Sequence, residues 1–197
     1  MIYPNFSKHL SDILGVPIGS LDFCSSFYEV KAIKKNEVIL REGEISDCTF
    51  FVEKGLLRMY SIDKLGKEHV IQFAPEGWII SDTTSQLLNE KSRFFIDAVE
   101  DSTVIIMREG FFEDLSKIYP EVAEKNQRLM FNHIKNLQNR VNALISTTAE
   151  ERYLDFLKKY PSIMLRVPQW MVASYLGITP ESLSRVRKEL AKKKFEI

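Results

Sequence analysis

The sequence predicts an α+β chain in which a β-rich body is followed by a helical tail. Three observations carry this. Between Phe27 and Arg108, short apolar runs alternate with turn residues at roughly 8–12-residue spacing, the mark of a sandwich or barrel. From Glu121 to Ser146 there is neither Gly nor Pro, and apolar residues recur at helical spacing. Beyond Thr147, proline and glycine punctuate short helical segments.

Taken in order, Pro4 to Leu14 reads as a short helix. "FYEVKAIK" is a strand, and "NEVILREGE" is a strand closing on a turn at Glu42-Gly43-Glu44. "CTFFVEKG" is a strand ending at Gly55. "LLRMYSIDKLGKEHVIQF" is two strands around Asp63-Lys64-Leu65-Gly66. "PEGWII" follows, and "RFFIDAVEDSTVIIMR" supplies two more strands.

The segment Glu121–Ser146 would make a helix about 39 Å long. Met130, Ile134, Leu137, Val141 and Leu144 form a heptad stripe along it. A helix of that length projects beyond a small β-domain, so the stripe is expected to form a symmetric dimer interface. The alternative is packing on its own domain. His133 beside the stripe reads as a polar interface residue rather than a metal ligand. "TTAEERYLDFLKKYP" is the next helix, capped by Thr148 or Thr147 with acidic residues in its first turn. "LRVPQWMVASYLG" holds a short helix between Pro168 and Gly177.

Composition bounds the function. The chain has 197 residues, 45% hydrophobic and 27% charged, which fits one large or two small globular domains. No apolar run approaches the roughly 18 residues of a membrane span. The start lacks a basic segment followed by an apolar run, so a secretory signal is not expected and the cytoplasm is. The two cysteines, Cys24 and Cys48, read as ordinary thiols; a disulfide framework and an iron–sulfur cluster are both disfavoured. Net charge is zero, yet Glu150–Ile197 holds ten Lys and Arg against six Asp and Glu. That surplus of four on the tail, balanced by an acidic body, is either plain unevenness or the footprint of an anionic partner.

Ala173, Leu176, Ile178, Leu183, Val186 and Leu190 are spaced to pack two short helices across a turn at Gly177. Thr179 would cap the second helix, with Pro180 at its first position and Glu181 in its first turn. Glu181, Ser182, Ser184, Arg185 and Lys188 then face outward, where the N-terminal turns of a recognition helix reach base edges. Arg holds guanine bidentately and Glu accepts from cytosine. The competing reading of Glu181 and Arg185 is an i,i+4 ion pair. Lys192, Lys193 and Lys194 are either a solvated helix end or phosphate contacts. Enzymatic chemistry is not expected. Ser81, Asp82, Ser85 and His69 have triad residue types without nucleophile-elbow spacing, and neither a P-loop nor a paired metal-ligand motif occurs.

With these motifs in place, "REGE", "FVEKGLLRMYSID", "GKEHVIQFAPEGW", the long helix and "VPQWMVASYLGITPESLSRVRKEL" together resemble the Crp/Fnr family of bacterial transcription regulators. The resemblance covers nearly the whole chain, and the last motif is its most specific part. It implies a cyclic-nucleotide-binding-like β-roll sensor over 1–119, jelly-roll-like in build. A dimerisation helix over 120–146 and a winged helix-turn-helix over 147–197 would follow. The partners implied are double-stranded DNA, a second copy of the chain, and RNA polymerase if it activates.

The family's recognition helix carries Glu and Arg at the spacing of Glu181 and Arg185, with Ser182, Ser184, Lys188 and Lys192 as further DNA contacts. Pro180 stands where the family often has a basic or polar base-reading residue, and the wing is expected to be truncated after the helix. In nucleotide-binding members a Gly-Glu pair and a later arginine hold the ribose and the cyclic phosphate. Here Ser81-Asp82 replaces Gly-Glu, and Ser92 takes the arginine's place with Arg93 one residue late. A one-residue shift in a strand turns a side chain to the other face, unless a loop insertion restores it. Trp78, Ser81, Asp82, Thr83 and Arg93 are the effector-site candidates, Trp78 equally reading as core. Cyclic AMP is not the expected ligand, and another small effector stays open. The expected function is thus a homodimeric DNA-binding regulator, the alternative being a sensor module whose helix-turn-helix docks on another protein.

Overall fold

The computed structural model describes residues 3–17 and 28–195. Cys24, and with it the expectation of an ordinary thiol there, lies outside them. Among the described residues, eight strands build two four-stranded antiparallel sheets. Strands β1 (Tyr28–Ile33), β3 (Cys48–Lys54), β6 (Ile79–Ile80) and β8 (Ser102–Arg108) form one, in the order β1-β8-β3-β6. Strands β2 (Val38–Leu40), β4 (Leu57–Ile62), β5 (Glu68–Ala74) and β7 (Phe95–Ala98) form the other, in the order β2-β7-β4-β5.

Period-two alternation explains the layers. Phe50 and Val52 of β3 and Val104 and Ile106 of β8 point into the sandwich. There they meet Leu57, Met59, Ile96 and Ala98 of the second sheet. Phe51, Ile105 and Met107 point the other way, into a second core. Helix α1 (Pro4–Lys8) covers them, as does the first apolar face of a helix after β8. Glu53 is buried on that side. Its carboxylate accepts from the amides of Asn5 at 3.0 Å and Phe6 at 2.8 Å, groups that the first turn of α1 leaves unpaired. On β4 and β7 the outward face is polar yet buried. Arg58 and Asp97 stand directly opposite in register and form a bidentate pair with both contacts at 2.8 Å. The guanidinium lies 4.1 Å from the centroid of the Tyr60 ring, and Tyr60 stacks on its cross-strand neighbour Phe95.

Gly55 turns the chain between β3 and β4 with φ of 97°. An added Cβ there would stand 2.7 Å from the Ser102 backbone, so both the conformation and the space demand glycine.

After α1 the chain makes a single π-helical turn, His9–Ile13. His9 is 9% exposed, against the Phe51 ring, and neither ring nitrogen has a hydrogen-bond partner among the described residues. Burial pushes its pKa down to about 4 from 6.5. The unfolded chain therefore takes up a proton near pH 6.5 that the folded chain refuses until about pH 4, and stability present above pH 6.5 is lost as pH falls between those values. The loss attributable to this one group is about 3 kcal/mol. His9→Phe should flatten that segment of the stability–pH curve, read by denaturant unfolding at pH 7 and pH 4.5. Parallel curves for the two proteins would contradict the account.

The remaining α-helices among the described residues are α2 (Thr83–Leu88), α3 (Phe111–Ile118), α4 (Glu121–Ser146), α5 (Ala149–Lys159), α6 (Gln169–Leu176) and α7 (Pro180–Phe195), with a 3₁₀ turn at Ile163–Leu165. Helix α4 spans the residues that the absence of Gly and Pro predicts. The chain packs as two compact units. The first holds the chain through Ser61 and Ile71–Asn132, and the second holds Ile62–Val70 with His133–Ile197. The second unit therefore includes the tip of the β4–β5 hairpin and the second half of α4.

The second unit's core is Tyr153, Phe156, Tyr160, Ile163, Val172, Ala173, Leu176 and Leu183, with Phe156, Tyr160 and Tyr175 in mutual ring contact. Thr148 caps α5 in a capping box with Glu151. Helix α6 ends at Gly177, whose φ is 67°; the Ile178 amide then donates back to Ala173 O at 3.0 Å. Arg152 of α5 donates to Leu176 O at 2.9 Å and also to Ala143 O and Thr147 O. It thereby joins the carbonyl at the end of α6 to those at the end of α4, where Ala143 O also accepts from the Thr147 amide and hydroxyl.

Candidate nucleic-acid interface

The turn after α6 delivers the chain to Thr179, whose hydroxyl accepts from the Ser182 amide at 3.2 Å and so caps α7. Pro180 opens the helix where a missing N–H costs nothing. Along α7, Leu183 is fully buried and Val186 and Leu190 are half-buried. That stripe fixes which side faces water. Glu181, Ser184, Arg185, Lys188 and Lys192 are exposed. Ser182 is half-buried, and its hydroxyl accepts from Thr179 at 3.2 Å, so it serves the cap first.

The electrostatics of the face bear on the ion-pair alternative. Glu181 is held below the usual carboxylate range by its own backbone amide, then by the Thr179 hydroxyl, with the Arg185 charge a lesser cause. The Arg185 guanidinium makes neither an ion pair nor a hydrogen bond among the described residues. An unpaired guanidinium on the second turn of a capped helix has all five donors available. Lys193 is different. Its ammonium lies 2.7 and 3.0 Å from the two Glu150 carboxylate oxygens, tying α7 to α5. The Lys194 side chain lies outside the described residues.

Helix α4 carries the stripe in the open. Ile134, Leu137, Val141 and Leu144 are exposed and Met130 is half-buried in the single chain. Phe131 and Ile145, at 62% and 80% exposure, widen it. The heptad template passed over both, although Phe131 stands three residues from Ile134 and Ile145 four from Val141. Leu144 also has a role within its own chain: a Cβ on Gly177 would lie 3.0 Å from its Cδ2. His133 has its pKa lowered by burial and then by the Lys159 charge.

Of the effector candidates, the structure brings Ser81, Asp82 and Thr83 together at the start of α2. The Ser81 and Thr83 hydroxyls are 3.3 Å apart. Asp82 is buried and caps α2, accepting from the Ser85 amide at 3.2 Å. The helix start thus already holds a carboxylate where a cyclic phosphate would need free amides. Arg93 is exposed, while Ser92 is buried, its hydroxyl donating to Phe94 O and accepting from Phe94 N. These residues do not fit a cyclic phosphate. Trp78 packs half-buried against the sandwich core.

The triad residue types are likewise spent on structure. The Ser85 hydroxyl donates to Glu90 O at 2.6 Å and accepts from Ser46 N at 2.9 Å. His69 pairs with Asp63 at 2.8 Å in the hairpin tip. Cys48 is half-buried, and burial first, then Asp47, pushes its thiol up to about 12. Among the described residues no cluster of His, Cys, Asp and Glu is placed to hold a metal ion, and no helix is long and apolar enough to cross a membrane.

Residues 30–119 match the cyclic nucleotide-binding domain model. The chain is similar to the anaerobic regulatory protein of Pasteurella multocida, 27% identical over 173 residues that cover 82% of this chain and 63% of that protein. It thus spans less than two thirds of that relative's length. Among solved structures, FixK2 from Bradyrhizobium japonicum aligns with a TM-score of 0.72 at 21% identity over 85% of this chain and 86% of that one. TTHA1359 of Thermus thermophilus, a transcriptional regulator of the CRP/FNR family, aligns at 0.66 with 19% identity over 84% and 87%. The β-sandwich, the long helix and the terminal helices are the architecture shared with these solved structures, so the chain has the fold of the CRP/FNR-family regulator TTHA1359 and is similar in sequence to anaerobic regulatory proteins.

Proposed function

We propose that the chain is a DNA-binding transcription regulator rather than an enzyme, acting in the cytoplasm as a homodimer on an inverted-repeat operator. Residues 1–119 form its sensor, 120–146 its dimerisation helix and 147–197 its reading head. One observation carries the reading. Arg185 stands exposed, and without an ion pair among the described residues, on the water-facing side of a helix whose opposite side is pinned by Leu183. A side chain engaged in a surface ion pair would have been held by Glu181 instead.

Helix α7 then lies in the major groove. Arg185 reads guanine, and Glu181 accepts from cytosine or orients Arg185. Ser184 contacts phosphate or a base edge, and Ser182 does so from its capping position. Lys188 and Lys192 neutralise phosphates. Met130, Ile134, Leu137, Val141 and Leu144 close the twofold seam. RNA polymerase is the further partner if the protein activates.

Selection of genomic fragments on the purified protein tests this. It should enrich an inverted repeat with half-site centres about 34 Å apart. Enrichment of no sequence at low salt would overturn the reading and leave the helix-turn-helix as a protein-docking module.

The sensor takes a small ligand other than cyclic AMP, if it is gated at all, because Asp82 caps α2 and Arg93 is turned out. Calorimetry should detect no cyclic AMP binding at micromolar concentrations. The missing bidentate partner of a buried phosphate lowers affinity by roughly two orders of magnitude. A low-micromolar dissociation constant would contradict this placement.

A further inference from the structure

The tip of the β4–β5 hairpin is built to be stiff and belongs to the same compact unit as the reading head. Asp63 Oδ1 accepts from the amides of Leu65 at 2.9 Å and Lys67 at 3.0 Å, and its other oxygen holds His69. The Asp63 and Gly66 amides close the turn, with Gly66 at φ of 79°.

This tip meets α6 through one hydroxyl. Ser174 Oγ accepts from the Val70 amide at 2.9 Å and donates to Glu68 O at 3.2 Å, so it completes the hydrogen bonding of β5 as a strand neighbour would. Arg140 of α4 closes the joint from the other side. Its Nη2 donates to Tyr175 O at 2.8 Å and to Val70 O at 3.3 Å, and its guanidinium lies 3.7 Å from the Tyr175 ring centroid. A serine in a largely apolar helix and an arginine on a dimerisation helix thus spend polar atoms on one hairpin and one helix end.

We propose that Arg140 and Ser174 are positioning residues that tie the first helix of the helix-turn-helix to the β4–β5 hairpin, so that the hairpin sets the tilt at which α7 meets DNA. This rests on the reading of α7 as the DNA-contacting helix. The hairpin residues held are 62–70, which pack with α6, so a change in this tip reaches α6 through two side chains. Loss of both should leave the head folded, because neither belongs to its Phe156–Tyr160–Leu183 core.

The test combines a distance and a spacing. Spin labels at Leu65→Cys and Arg187→Cys, in a chain carrying Cys24→Ser and Cys48→Ala and diluted with unlabelled protein, report the hairpin-to-α7 distance within one chain. The parent should give one narrow distribution. Arg140→Ala/Ser174→Ala should give a distribution several-fold broader, with the thermal unfolding of the head unchanged. Arg140→Lys should not restore the width, since an ammonium cannot bridge both carbonyls while stacking on Tyr175. On DNA, inserting one base pair between half-sites should weaken the parent about tenfold or more and the double variant by less than about twofold, with the preferred half-site sequence the same.

An equally narrow distribution in the double variant would overturn the proposal, as would retained spacer discrimination. If the parent binds no DNA, the function proposed for α7 fails, and the distance measurement alone then decides whether the hairpin holds the head.

Discussion

Leu137→Glu should convert the protein from dimer to monomer. Leu137 sits at the centre of the exposed stripe on α4, 43% exposed in the single chain and flanked by Ile134 and Val141. A twofold axis through such a helix brings each residue close to its own copy. The substitution therefore sets two carboxylates in an apolar seam, where like charges without partners carry a heavy desolvation cost. The chain itself should stay folded, because Leu137 is exposed in the single chain and outside its buried cores. Binding to a two-half-site operator should fall by about a hundredfold or more, since the second half-site no longer benefits from linkage to the first. Light scattering checks the mass, and a wild-type monomer at micromolar concentration would contradict the interface.

Arg185→Ala should cost about 1–3 kcal/mol per cognate half-site and relax the preference at one base position. Lys192→Ala provides the contrast. It should weaken all DNA about equally and flatten the salt slope by about one unit. Both side chains face away from Leu183, so neither change should lower thermal stability. Unchanged affinity and unchanged base preference in folded Arg185→Ala would show that α7 does not read DNA.

Short-range pattern made most of the fold legible. Phe50–Phe51–Val52 alternates between two cores, and such alternation is visible in the sequence because the strand period is two. Helix α4 was delimited by Pro120 and by its own lack of glycine, and α7 by Thr179, Pro180 and Gly177, all local chemistry. Residues whose partners are far along the chain were not legible. Arg58 and Asp97 are 39 residues apart, and only the oddity of a charge inside each apolar strand marks them. Ser174 and Val70 are 104 apart, and nothing near either announces the other. The π-turn at His9 escaped because its hydrogen-bond register, not its composition, differs from a helix.

At the effector region, the family resemblance named Ser81, Asp82 and Arg93 as candidates, with Ser92 at the arginine's place and Arg93 one residue late. Ser92 is buried and Arg93 exposed, in the bend that precedes β7. The Asp82 cap was not foreseen, although an Asp three residues ahead of a helical amide is a standard capping signal.

The central claim is that a symmetric dimer reads DNA through Arg185 of α7. The most direct measurement is equilibrium binding of the wild-type protein to its selected inverted repeat, and to the same duplex with both half-sites scrambled, across a salt series. The account predicts one dimer per duplex and affinity falling linearly in log–log form with salt, by about 0.9 units for each phosphate neutralised. It also predicts a preference for the intact repeat of at least about a thousandfold. Equal affinity for the intact and scrambled duplexes, or binding that ignores salt, would contradict it.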